Sequence, residues 1–132
     1  MAVPSAVEEL LRYFSPADAA LLRVAAEDVE IGGVTIKADE GVFISGLSAN
    51  WDPAAFSAPD RLDITREARH HIAFGYGPHR CLGENLARQE LRTVFGTLFR
   101  RVPGLRLAVP VEDIDLKVND TIYGAYRLPV TW

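Results

Sequence analysis

The hydrophobic and polar positions of this chain alternate between two periods. Ala6, Leu10, Leu11 and Phe14 share one helical face, so an opening helix is predicted there. Ser5 with Glu8 reads as a capping box at its start, and Ser15-Pro16 as its end. The period then changes to two. Val29-Glu30-Ile31 and Val34-Thr35-Ile36 flank Gly32-Gly33, which predicts a tight β-hairpin. Residues 41–45 read as a further short strand and 48–56 as a short helix. Residues 57–73 carry little periodicity and read as an irregular segment that follows the surface. The longest element runs from Leu82 to about Val102. In it Leu82, Leu86, Leu91, Val94, Phe95, Leu98, Phe99 and Val102 form one apolar stripe, stopped by Pro103-Gly104. Leu105-Arg106-Leu107 and residues 117–132 read as short strands, with turns around Asn119-Asp120 and Gly124. The expected class is α+β, with helices segregated from small antiparallel sheets. No internal repeat or low-complexity segment interrupts the pattern.

Composition narrows the picture. The chain has 132 residues, enough for one domain with a core. Apolar residues make up 48% and charged residues 24%, which is ordinary globular usage. A net charge of −4 gives no footprint for nucleic acid. A single cysteine excludes an internal disulfide. No apolar run reaches membrane-spanning length, and Met1-Ala2-Val3-Pro4 lacks a basic n-region, so a cytoplasmic location is expected.

That cysteine lies near the end of the run Phe74-Gly75-Tyr76-Gly77-Pro78-His79-Arg80-Cys81-Leu82-Gly83, immediately before the long helix. A lone cysteine is ordinarily a small buried hydrophobe. Here the context differs. The positive end of a helix favours a thiolate, the form that serves as soft metal ligand or nucleophile. Gly75 and Gly77 permit tight turning and close approach of a flat ligand to the backbone. Gly83 keeps the first helical turn bare, and His79 offers a donor to an anionic group. A dinucleotide-binding reading fails, because five residues separate Gly77 from Gly83 and no good strand precedes the loop.

The run F-G-x-G-x-H-x-C-x-G resembles the haem-binding loop of the cytochrome P-450 family. The resemblance covers almost the whole chain, from Val3 to Trp132, and implies the C-terminal, haem-binding portion of a bacterial-type member, truncated: a single partial domain over residues 1–132. It implies that Cys81 is the thiolate ligand of haem b iron, whose electron donation favours O–O cleavage. His79 and Arg23 would each meet a haem propionate, two cations suiting two carboxylates. Phe74 would pack beside the proximal haem face, and Gly75, Gly77 and Gly83 would shape the loop. Glu9-Leu10-Leu11-Arg12 is an E-x-x-R whose ends share a helix face. With Arg61, in a Phe56–Leu62 segment similar to one of the family's, Glu9 and Arg12 are implied to form a buried charge triad. Trp51 departs from the polar residue common at its place in relatives, which bears on local surface contacts and not on the chemistry.

The family's distal helix carries an acidic residue followed by threonine, after small residues. Asp120-Thr121 is the only acid-threonine pair here, and Lys117-Val118-Asn119 precedes it. No small residues precede that pair, so the distal helix is not expected within this chain, and the resemblance implies a haem-thiolate monooxygenase only when intact, activating oxygen and hydroxylating a substrate. Its electrons would come from a ferredoxin- or flavodoxin-type donor received by Arg80, Arg88 and Arg92. No catalytic residue is assigned within this chain. The alternative is a haem-binding or self-associating, non-catalytic fragment. Partners are then the electron donor, and either a homo-oligomer or the portion of the family's fold that lies before residue 1.

Overall fold

The structure is a computed structural model that describes residues 3–17, 21–118 and 120–132. Helix α1 spans Val3–Phe14, α2 Gly46–Asn50 and α3 Glu84–Arg101. Strands β1 (Leu22–Val24), β2 (Val29–Ile31), β3 (Val34–Ile36), β4 (Gly41–Phe43), β5 (Arg106–Leu107) and β6 (Val130–Thr131) form three two-stranded antiparallel sheets, β1-β4, β2-β3 and β5-β6. The class is mixed α+β, as the alternation of periods predicts.

Helix α1 is already formed at Val3, so Ser5 lies inside it and does not cap it. The helix ends as expected before Pro16. Ser15 adopts φ +36 there, its N–H bonding the Leu11 carbonyl at 3.0 Å and its hydroxyl the Arg12 carbonyl at 2.9 Å. The β2-β3 hairpin has the predicted register, Val29 opposite Ile36 and Ile31 opposite Val34. Gly32 and Gly33 take φ +59 and +79, the backbone a two-residue turn of this kind requires. Helix α2 begins two residues before the predicted start, because the Ser45 hydroxyl accepts the Ser48 N–H at 3.0 Å. It stops before Asp52-Pro53, where a proline disfavours helix in the residue ahead of it. The segment 57–73 contains neither helix nor strand. In the tail, Leu116 bridges Ala125, and of the expected Asn119-Asp120 turn Asn119 lies outside the described residues.

The core is small and unusually polar. Ala6, Val7, Leu11, Phe56 and Ala68 are its buried apolar members, alongside buried Glu8, Glu9, Arg12, Ser15, Asn50 and His71. All centre on α1, which packs against α2 and α3. Helix α3 starts at Glu84, with Gly83 as its cap, and buries no residue completely. Its predicted stripe is present but open: Leu86, Val94, Phe95 and Phe99 are exposed, as is Leu82 ahead of it.

Candidate functional site

The cysteine loop is held by its own backbone. Gly75 and Gly77 both take φ +76, a region that costs other residues about 1–2 kcal/mol. The Gly75 N–H bonds the Ile72 carbonyl at 2.8 Å, and a single 3-10 turn follows over Gly77–His79. The Cys81 N–H then returns to the Phe74 carbonyl at 2.9 Å and closes the loop. The Cys81 thiol is free and exposed. A Cβ built on Gly83 would lie 3.8 Å from Sγ, so the sulfur rests beside the cap of α3.

Cys81 lines a cavity of about 410 Å³. Leu11, Leu21 and Ile72 give it apolar walls; Phe74, Gly75, His79 and Arg23 line it too. Arg23 is exposed and donates from Nη1 to its neighbour's carbonyl, that of Leu22, at 2.7 Å. Among the described residues, no carboxylate pairs with Arg23 or His79. One soft donor, apolar walls, an arginine and a histidine thus share a cavity. Among the described residues no three His, Cys, Asp or Glu side chains are grouped to hold a bare metal ion. Such a donor set suits a flat, apolar metal complex that brings its other ligands and two carboxylates with it, and an iron porphyrin meets that description.

Behind the loop lies the expected E-x-x-R pair, with a different third member. Arg12 donates from Nε and Nη2 to the two Glu9 oxygens at 2.8 and 2.9 Å, and both side chains are fully buried. Its Nη1 donates to the Asn50 carbonyl at 2.7 Å. Arg66, not Arg61, completes the group: its Nε meets Glu9 Oε1 at 3.2 Å. The reason is the turn at 58–61. Ala58 has φ +46 and the Arg61 N–H bonds its carbonyl at 3.1 Å, which leaves the Arg61 side chain outside and turns its carbonyl inward. Arg66 donates to that carbonyl at 3.3 Å and to those of Ser57 and Ala58 at 2.6 and 3.1 Å. The Asp63 N–H adds a bond to Glu9 Oε1 at 2.9 Å. Burial pushes Glu9 upward, but the Arg12 bond, the Asp63 N–H and Arg66 outweigh it and hold the carboxyl below its ordinary range.

A second charge cluster, unforeseen from the sequence, supports the loop's other side. Glu8 is buried and receives Arg88 Nε at 3.0 Å, Arg92 Nη2 at 3.1 Å and His71 Nε2 at 3.2 Å. Arg88 also donates to Glu84 at 2.8 Å, and Arg80 reaches Glu84 at 2.7 Å. Arg88 is therefore not a free surface cation for an electron donor: its side chain is 14% exposed, against 47% for Arg80 and 37% for Arg92. A signal existed. Arg88 and Arg92 stand one helical turn apart, and like charges at that spacing call for an anion between them.

The family model described as Cytochrome P-450 matches residues 2–114. Pentalenic acid synthase of Streptomyces avermitilis is 58% identical over 130 residues, 98% of this chain and 32% of that protein. Vitamin D3 dihydroxylase of Streptomyces griseolus is 55% identical over 98% of this chain and 32% of its own length. The crystal structure of cytochrome P-450 MoxA from Nonomuraea recticatena superposes with a TM-score of 0.95 at 66% identity, over 98% of this chain and 32% of that one. The chain thus spans about a third of the length of the curated relatives it matches.

Proposed function

The chain belongs to the cytochrome P-450 family, and from that premise we propose that it forms the haem-binding site of a monooxygenase, in which the Cys81 thiolate would hold the iron. The observation that carries the reading is the shared cavity: Cys81, Arg23 and His79 line the same space. Haem bound there supplies iron whose thiolate ligation favours O–O cleavage, the chemistry of substrate hydroxylation. The chain's own residues hold and orient it. Cys81 offers the sulfur from a loop closed by its own N–H. Arg23 and His79 would each meet one propionate. Gly75 and Gly77 give the backbone the left-handed turns that bring the loop against the ligand, and Gly83 leaves room beside Sγ. Phe74 forms the adjoining apolar wall. The relative from Streptomyces griseolus, a vitamin D3 dihydroxylase, supports hydroxylation as the reaction. Electrons come from a ferredoxin- or flavodoxin-type protein, for which Arg80 and Arg92 are the more exposed cations of this face.

A reduced, carbon monoxide difference spectrum of the haem-loaded chain tests this assignment. The thiolate-type Soret band is expected for the wild-type chain and its loss for Cys81→Ala. A band unmoved by that substitution overturns the ligand assignment.

A second reading rests on the open face of α3, together with exposed Tyr76, Leu82 and Trp132. In it the chain binds haem or a second copy of itself without turnover, since large exposed apolar patches seek cover. Light scattering coupled to size exclusion checks this. A monomer at micromolar concentration that binds no hydrophobic dye removes the self-associating form.

A further inference from the structure

One buried titratable ring has no part in the chemistry just proposed. His71 is 6% exposed. Its Nδ1 accepts the Ala73 N–H at 3.1 Å, and its Nε2 lies 3.2 Å from Glu8 Oε2. A backbone N–H only donates, so Nδ1 must carry a lone pair. Glu8, bound by two guanidinium groups, is ionised, so Nε2 must carry the hydrogen. The partners thus select the neutral Nε2–H tautomer. That ring joins α1 to the backbone one residue before Phe74. The Phe74 carbonyl in turn receives the Cys81 N–H at 2.9 Å.

We propose that His71 is a positioning residue for the cysteine loop: its neutral ring ties Glu8 to the Ala73 backbone and fixes where Phe74, and through it Cys81, is presented. A second proton would go to Nδ1 and set two N–H donors against each other, which releases Ala73. The charged groups around the ring favour that sensitivity. Glu8 of α1 is its anion and is already shared with Arg88 and Arg92 of α3. Arg80 of the loop adds positive charge and is paired with Glu84, as is Arg88. Burial pushes the ring below its ordinary value more than Glu8 draws it up, and Arg88 and Arg80 push in the same direction as burial. The neutral tie therefore holds at neutral pH and is lost on acidification.

The inference rests on the haem-loop reading only for its consequence, and amide hydrogen exchange on the haem-free chain tests the tie itself. Protection of the Ala73 and Cys81 amides, relative to the unfolded rate at each pH, is expected to be high at neutral pH. Both should fall together, by about tenfold or more, below the ordinary imidazole value of about 6.5. His71→Asn places a side-chain oxygen where it can accept the N–H two residues on, and carries no proton to gain. Its Ala73 protection should stay level through the same range. His71→Gln keeps a donor for Glu8 but loses the local acceptor, so Ala73 should be unprotected throughout. An Ala73 amide unprotected at neutral pH in the wild-type chain overturns the tie. So does an equal pH dependence in wild type and His71→Asn. A titrating Ala73 with an indifferent Cys81 overturns the positioning role. If either variant fails to fold, the two wild-type profiles still decide. A missing thiolate-type spectrum with the Ala73 profile intact counts against the haem reading and leaves the tie standing.

Discussion

The Arg88 guanidinium lies over the Phe74 ring, 4.7 Å from its centroid, while its Nε binds buried Glu8 at 3.0 Å. Phe74 opens the cysteine loop and receives the Cys81 N–H, so one cation touches both the charge cluster and the loop. Cation–π contacts of this kind contribute about 0.5–2 kcal/mol, more when desolvated. The loop is therefore braced from behind by α1 and α3 as well as closed by its own backbone.

Arg88→Lys and Arg92→Lys should differ although both preserve charge. Arg88 uses its planar fork on Glu8, Glu84 and Phe74 at once, and a lysine cannot copy that. Arg92 makes one bond to Glu8, and its buried Nε has no partner among the described residues. We expect Arg88→Lys to cost about 2–3 kcal/mol and Arg92→Lys under about 1 kcal/mol. Denaturant midpoints at neutral pH read the difference. Equal losses would show that Arg88 acts only as a charge.

Glu9 serves two buried or half-buried arginines. Its removal leaves Arg12 without an anion in a dry site, and Glu9→Ala should cost about 3–5 kcal/mol. Arg66→Ala should cost about 2–3 kcal/mol, since it frees three loop carbonyls as well as Glu9. Arg61→Ala, at an exposed side chain, should stay within about 0.5 kcal/mol. The ranking of Arg66 over Arg61 is the decisive outcome, and its reversal would restore Arg61 as the third member.

The hairpin at Gly32-Gly33, helix α1 and helix α3 were legible in the sequence because each is fixed by a local period and its punctuation. The pairing of Glu9 with Arg12 was legible for the same reason, being three residues apart on one helix. What could not be read is set by chain reversals. Which arginine reaches Glu9 depends on the turn at Ala58–Arg61, and no periodicity encodes the direction of a side chain in an irregular segment. Glu8 looks like a solvent-facing helix residue until α3 arrives 80 positions later with Arg88. Periodicity marked the α3 stripe as a face that wants cover beyond what the short strands supply, and its exposure agrees with that.

Gly77→Ala isolates the conformational requirement of the loop. Gly77 has φ +76 and nothing within 4 Å of an added Cβ, so the methyl meets no steric barrier. The cost should be the left-handed backbone alone, about 1–2 kcal/mol. Gly83→Ala, at φ −85, should leave the haem-free chain within about 0.5 kcal/mol of wild type. Equal losses at the two positions would mean that packing, and not backbone conformation, selects glycine here.

Acid should weaken this chain in two stages. His71 is held below its ordinary value of 6.5, first by burial, so the unfolded chain binds the extra proton sooner. Its contribution to stability is full above about pH 6.5 and declines as pH falls toward the folded value. Glu8 and Glu9 follow the same direction lower down. For each, burial raises the carboxyl, but the arginine bonds prevail and the folded value lies below the ordinary 4.5. Their contribution is complete above about pH 4.5 and is lost as the pH falls through the folded values. Denaturant titrations at closely spaced pH should therefore show a first decline beginning near pH 6.5 and a steeper one below about 4.5. His71→Asn should remove the first and keep the second, because asparagine takes up no proton while both carboxylates remain. A wild-type stability that is flat or rising from pH 6.5 down to 4.5 would mean that protonated His71 is accommodated by Glu8 after all.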